Sequence, residues 1–174
     1  MRVIAFSCVH WMTRKLQVDV YEYEPALDYA PFWQLCEIIL ADPPDVIVNL
    51  GDFTETFYGD NYPLPAIWKE IADTLHVIKL AGNHDRDDGH QFIDLDGVRY
   101  EHGNKLAPKM PGADRSVDEY MEELRRNTAG EKIVHGHSHE PHWGAPWPLD
   151  VGSVTFSQTY GEIIDGQGRW LRLG

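Results

Sequence analysis

The sequence predicts an α/β domain, a mixed β-sandwich of two sheets flanked by helices. Three observations carry that expectation. In the first half, short β-branched runs alternate with segments of helical apolar spacing, the pattern of a parallel sheet with crossover helices. In the second half, an Asp-Gly pair joins two short runs and further runs close the chain, the pattern of antiparallel pairing. The 174 residues suit a single domain spanning 1–174.

Each element follows from local chemistry. Val3 to Ser7 is a short β-branched and aromatic run and reads as a buried strand. His10 to Pro31 is polar and aromatic and reads as irregular. Pro31 fits the first turn of a helix carrying Phe32, Leu35, Ile38 and Ile39, which Asp42-Pro43-Pro44 stops. Asp45 to Leu50 is a second strand. Pro65 opens a helix with Ile67, Trp68, Ile71 and Leu75 on one face, and His76 to Leu80 is a third strand. Phe92–Leu95 and Val98–Tyr100 flank Asp96-Gly97, a strong hairpin signal. Ser116 and Glu119 form a capping-box pattern before a helix carrying Val117, Tyr120, Met121 and Leu124. Lys132 to His135 is a strand. Val154–Tyr160, Glu162–Asp165 and Arg169–Leu173 read as a closing meander, with Gly166-Gln167-Gly168 as a turn.

Composition narrows the function. The hydrophobic content of 43% and charged content of 25% are ordinary for a globular chain. The formal net charge of −13 argues against stable nucleic-acid binding, which rests on Lys and Arg displacing counterions. A small anionic substrate stays compatible if a local cation offsets the field. The two cysteines, Cys8 and Cys36, form no C-x-x-C and suggest no disulfide framework. No apolar run is long enough to cross a membrane, and the cytoplasm is the expected compartment.

The residues that follow the strands carry the chemistry. Ser7-Cys8-Val9-His10 follows the first, Gly51-Asp52 the second and Gly82-Asn83-His84-Asp85 the third. Glu101-His102-Gly103 ends the hairpin, and Gly136-His137-Ser138-His139 follows the next strand. Ligands of open α/β sheets bind outside the carboxyl ends of the strands. A Gly-Asp alone is an ordinary turn, and one His-x-His is only suggestive. The ordered set converges on one edge, and a convergent His/Asp/Asn set is a metal site.

In these motifs the sequence resembles the calcineurin-like, or binuclear, metallophosphoesterase superfamily, over nearly the whole chain. The short chain, the Asp-Gly hairpin and Asp150-Val151-Gly152-Ser153 look most like its small bacterial and archaeal phosphodiesterase branch. Phe53-Thr54-Glu55-Thr56 after Gly51-Asp52 disfavours the protein Ser/Thr phosphatase branch, which has Asp-Arg-Gly there. The resemblance implies two divalent ions, drawn from Mn, Zn, Fe or Ni, and hydrolysis of a small anionic phosphoester by a metal-bridging hydroxide. Asp52 would bridge the ions. His10 and His139 would complete the first with residue 8, and Asn83, His102 and His137 the second. His84 would face the leaving oxygen, with Asp85 orienting it through a hydrogen bond.

One position departs from the family pattern, with Cys8 standing where the family has Asp. It reads either as a small buried residue that weakens the first ion, or as a thiolate ligand that favours Zn²⁺ or Fe²⁺ over Mg²⁺. Arg14, Lys15 and Arg86 flank the motif loops and read mainly as solvated surface. Trp11, Phe53, Tyr58, Tyr62, Trp143 and Trp147 read as rim aromatics, able to stack a base or simply to pack. His135 is expected to point into the sheet, His142 to line the mouth, and Cys36 to belong to the core. The rival functions are a non-catalytic protein-binding scaffold on the same fold and a protein phosphatase.

Overall fold

A computed structural model of the protein describes residues 1–12, 27–55, 63–85, 89–106, 116–128, 130–143 and 147–174, the side chains of 117, 142 and 143 excepted. Arg14, Lys15, Tyr58, Tyr62 and Arg86 lie outside the described residues, as do the side chains of His142 and Trp143.

Two five-stranded sheets form the body. In the first, β1 (Arg2–Phe6) pairs in parallel with β2 (Val46–Asn49), and β2 in parallel with β3 (Val77–Lys79). On its other side, β9 (Thr159–Ile164) runs antiparallel to β1, and β10 (Gln167–Arg172) antiparallel to β9. The second sheet is ordered β4 (Phe92–Leu95), β5 (Val98–Glu101), β6 (Ile133–His135), β8 (Leu149–Val151), β7 (Pro141–Trp143). Its three central strands are parallel and its edges antiparallel.

Period-two alternation explains how the layers stack. Val3 and Ala5 of β1 face the second sheet, packing in one cluster with Val48, Val98, Tyr100, Val134 and Val151. Ile4 and Phe6 face the other way, into a cluster with Phe32, Leu35 and Ile39 of α1 (Ala30–Ala41) and Trp68 and Ile71 of α2 (Ala66–Thr74). Burying such a side chain contributes about 1.5–3 kcal/mol, so β1, apolar on both faces, is the central plank of the fold. Cys36 lies in the helix-side cluster, as expected.

The local signals act as read. Pro sits in the first turn of α1, and Asp42 closes it with an N–H bond to the Ile38 carbonyl. Before α3 (Val117–Thr128), the Ser116 N–H donates to Glu119 Oε2 at 2.9 Å and the Glu119 N–H returns to Ser116 Oγ at 3.3 Å. Asp96 and Gly97 take φ of 51° and 72°, the left-handed pair of a tight hairpin.

Two expectations need correction. The Val154–Tyr160 strand is a turn up to Thr159, because Ser153 and Ser157 hydroxyls engage the backbone locally and compete with a ladder. The last turn lies at Asp165-Gly166, not Gly166-Gln167-Gly168, with φ of 48° and 71°. Strands β7 and β8, of three residues each, were not among the expected elements.

Candidate metal centre

Parallel β1, β2 and β3 deliver their following loops to one edge of the first sheet. Beyond β1 the ladder continues irregularly: Cys8 N–H donates to the Gly51 carbonyl at 3.1 Å, His10 N–H to the Asp52 carbonyl at 3.0 Å and Trp11 N–H to the Phe53 carbonyl at 2.8 Å. This zipper sets Cys8 and His10 beside Asp52. The third loop closes on the same point. A Cβ on Gly82 would fall 2.1 Å from Asp52 Oδ1, so only glycine permits the approach. The second sheet's loop presses in through Gly136, whose Cβ would lie 2.3 Å from the Ser7 side chain.

The structure brings most of the expected residues together. His10 Nε2 lies 3.2 Å from His139 Nε2. His102 Nε2 lies 3.0 Å from both Asp52 Oδ2 and Asn83 Oδ1. The ligand atoms of Cys8, His10 and His139 lie within 4.8 Å of one another, as do those of Cys8, Asp52 and His102. His137 belongs to no such group among the described residues, but its ring meets that of His102 at 5.0 Å. His10, Asp52 and His102 are almost wholly buried.

Hydrogen bonding aims these nitrogens. His102 Nδ1 lies 3.0 Å from the Leu50 carbonyl, to which it can only donate. Its Nε2 therefore faces two oxygens, one of them a carboxylate. His10 Nδ1 donates to Glu55 at 3.2 Å and turns its Nε2 towards Nε2 of His139. Nitrogens and oxygens gathered this closely are suited to share a cation. Two imidazole nitrogens on one ion, each bonded at about 2.0–2.1 Å, stand about 3 Å apart, as these do. The donor set fits divalent ions.

Electrostatics agree. Burial pulls the His137 imidazole down to about 4, helped by the charge of His102. Burial, with His10 beside it, pulls His139 down to about 3. Both are neutral near pH 7, with lone pairs free for coordination. Burial pushes the Asp52 carboxyl up, yet the His102 hydrogen bond, the His102 and His10 charges and the His84 N–H together hold it well below the carboxylate range. Burial and then the Asp52 charge push the Cys8 thiol well above its ordinary value.

His84 stands at the mouth, its side chain 30% exposed. Its N–H donates to Asp52 Oδ1 at 2.7 Å, and its Nδ1 lies 2.8 and 3.0 Å from the Glu55 oxygens. That Glu55 hydrogen bond raises the imidazole's pKa, against burial. The expected Asp85–His84 bond is corrected here. The Asp85 carboxylate instead accepts from the N–H groups of Asp52 (2.7 Å), Thr54 (3.1 Å) and Gly82 (3.2 Å) and from the Thr54 hydroxyl (3.1 Å). It staples the third loop to the second.

Glu55 is the residue that sequence reasoning missed. It is 1% exposed and serves both His10 and His84. Period-two spacing from Phe53 along the extended 53–55 segment could have placed it inward. Also missed were Ser153 and Thr155, whose hydroxyls each donate to the Cys8 carbonyl at 2.8 Å. Among the rim aromatics, Phe53 is core, packed with Phe6, Phe32 and Trp68. Trp11 packs on Tyr29 and Trp33, and Trp147 against the inter-sheet cluster. Phe156, unread in the sequence, is 39% exposed and stacks on His139 at 4.4 Å. His135 is buried, as expected, near Asp150.

A nitrogen- and oxygen-rich cluster at the carboxyl edge of a two-sheet sandwich is the lining of a candidate metal site. A family model for calcineurin-like phosphoesterases matches residues 1–157, and the chain belongs to that family of metal-dependent phosphoesterases. No curated protein matches the sequence. The solved structures that share the fold include these two. Yfce, a phosphoesterase from E. coli, is 18% identical, with 95% of this chain and 89% of that one covered at a TM-score of 0.53. Vps29 of Chaetomium thermophilum is 12% identical, with 94% and 84% covered at 0.55.

Proposed function

We propose that the protein hydrolyses phosphodiesters, or small nucleotide-type phosphoesters, at a centre of two divalent ions. The observation that carries this reading is the pair of convergent ligand groups around Asp52, with His84 at their mouth. Cys8, His10 and His139 would hold one ion, and Asn83, His102 and His137 the other, with Asp52 shared. Bound there, the ions supply charge neutralisation for the phosphoryl group and an activated water.

The chain's own residues do the rest. Glu55 holds Nδ1 of His84 and orients the ring, and Nε2 is the nitrogen this reading assigns to substrate. From there Nε2–H donates a proton to the departing alkoxide, and the carboxylate steadies the imidazolium. Asp85 fixes the loop that carries His84 and Asn83. Phe156 walls one side of His139, and in this reading it would meet the ester substituent.

The test is turnover of bis-p-nitrophenyl phosphate, p-nitrophenyl phosphate and a phosphopeptide by metal-stripped protein, with one divalent ion restored at a time. Diester hydrolysis should appear and exceed that of the other two. His84→Ala should lose at least about 100-fold in kcat while its ions stay bound, as the loss of a general acid does. Folded protein that binds ions and hydrolyses none of the three would shift the reading to a scaffold.

A further inference from the structure

The Cys8 sulfur occupies a prepared position. Its backbone is held from both sides, by the N–H bond to the Gly51 carbonyl and by the Ser153 and Thr155 hydroxyls on its own carbonyl. It takes φ of 55°, a conformation that suits glycine and is strained for cysteine. The side chain is wholly buried, and its sulfur lies within 4.8 Å of ligand nitrogens of both His10 and His139. The Ser7 hydroxyl stands 2.9 Å from it, a group suited to steadying a sulfur anion.

Resting on the two-ion reading above, we propose that Cys8 binds the first ion as a thiolate with His10 and His139, which makes that position selective for thiophilic ions, Zn²⁺ over Mg²⁺. Binding breaks the S–H bond and releases the proton to solvent. The freed sulfur pair forms the bond to the ion, and nothing is oxidised or reduced. The Zn–S bond, about 2.3 Å, is longer than Zn–O and recovers part of the reach that a carboxylate would have. The sulfur replaces the missing carboxylate charge, and its softness reorders the metal preference.

The test is a Co²⁺ titration of the whole metal-free protein, followed by absorption. Ligand-field bands in the visible report any bound Co²⁺, and a near-ultraviolet thiolate-to-cobalt charge-transfer band reports bound sulfur. The chain has two cysteines, and Cys36 lies in the helix-side core, so the band has one source. It should rise to saturation at one equivalent, vanish on adding Zn²⁺ and survive excess Mg²⁺. It should be missing from Cys8→Ser, and Cys8→Asp should move the Zn²⁺-to-Mg²⁺ affinity ratio towards Mg²⁺ by at least about tenfold. Visible bands without charge transfer in the wild-type protein would overturn the thiolate and leave the metal centre standing. No Co²⁺ bound at all would overturn both. Because Cys8 is buried and its variants can misfold, the wild-type spectrum decides by itself.

Discussion

Glu55 shows how one side chain couples two others. Its carboxylate receives Nδ1 of His10, a ligand candidate, and Nδ1 of His84, the proposed proton donor. A neutral amide of the same shape has one acceptor oxygen and would turn an NH₂ group towards one of the imidazoles. Glu55→Gln should therefore lower ion affinity and turnover together, by about 10–100-fold, with the far-ultraviolet circular dichroism unchanged. Loss of turnover at full ion affinity would restrict Glu55 to His84. The ligand candidates were legible in the sequence because their motifs follow successive strands in the order of the family pattern, although a Gly-Asp alone is an ordinary turn. Glu55 was not, because a glutamate in a loop is ordinarily solvated, and only the tertiary fold shows that it is dry.

At the scale of elements, the site is an edge where loops continue the pairing of β1 and β2 beyond regular geometry. Its tightest point is Gly82 against Asp52. A methyl group there must displace the carboxylate or the third loop. Gly82→Ala should destabilise the fold by about 1–3 kcal/mol and reduce bound metal in the same step. Melting temperature and metal content at wild-type values would show that the loops are not so closely fitted. The alternation of buried strands with helices was readable because each is a local pattern, and the Ser116–Glu119 box is likewise written in four residues. The hydroxyl-rich turn at 153–157 resembled a strand because Val, Thr and Phe carry β propensity. Its serines decide otherwise through bonds to their own backbone.

For the molecule as a whole, charge and function pull in opposite directions. A net charge of −13 repels phosphate anions at long range, while bound ions attract them at short range. Salt weakens the first more than the second, because the Debye length falls from about 30 Å at 0.01 M to about 8 Å at 0.15 M. The kcat/KM for a dianionic phosphoester should therefore rise severalfold over that interval, and that for a neutral ester should stay level. A fall for the dianion would mean that the ions govern its approach even at a distance.

Cys8, His10, Asp52, His137 and His139 all have φ between 50° and 71°. For anyone who wants this sandwich as an inert, heat-resistant carrier, these are five addresses at which glycine relieves backbone strain and deletes a ligand in a single step. For anyone who wants a more active enzyme, they mark the segment where a general search for thermostability will tend to select against chemistry.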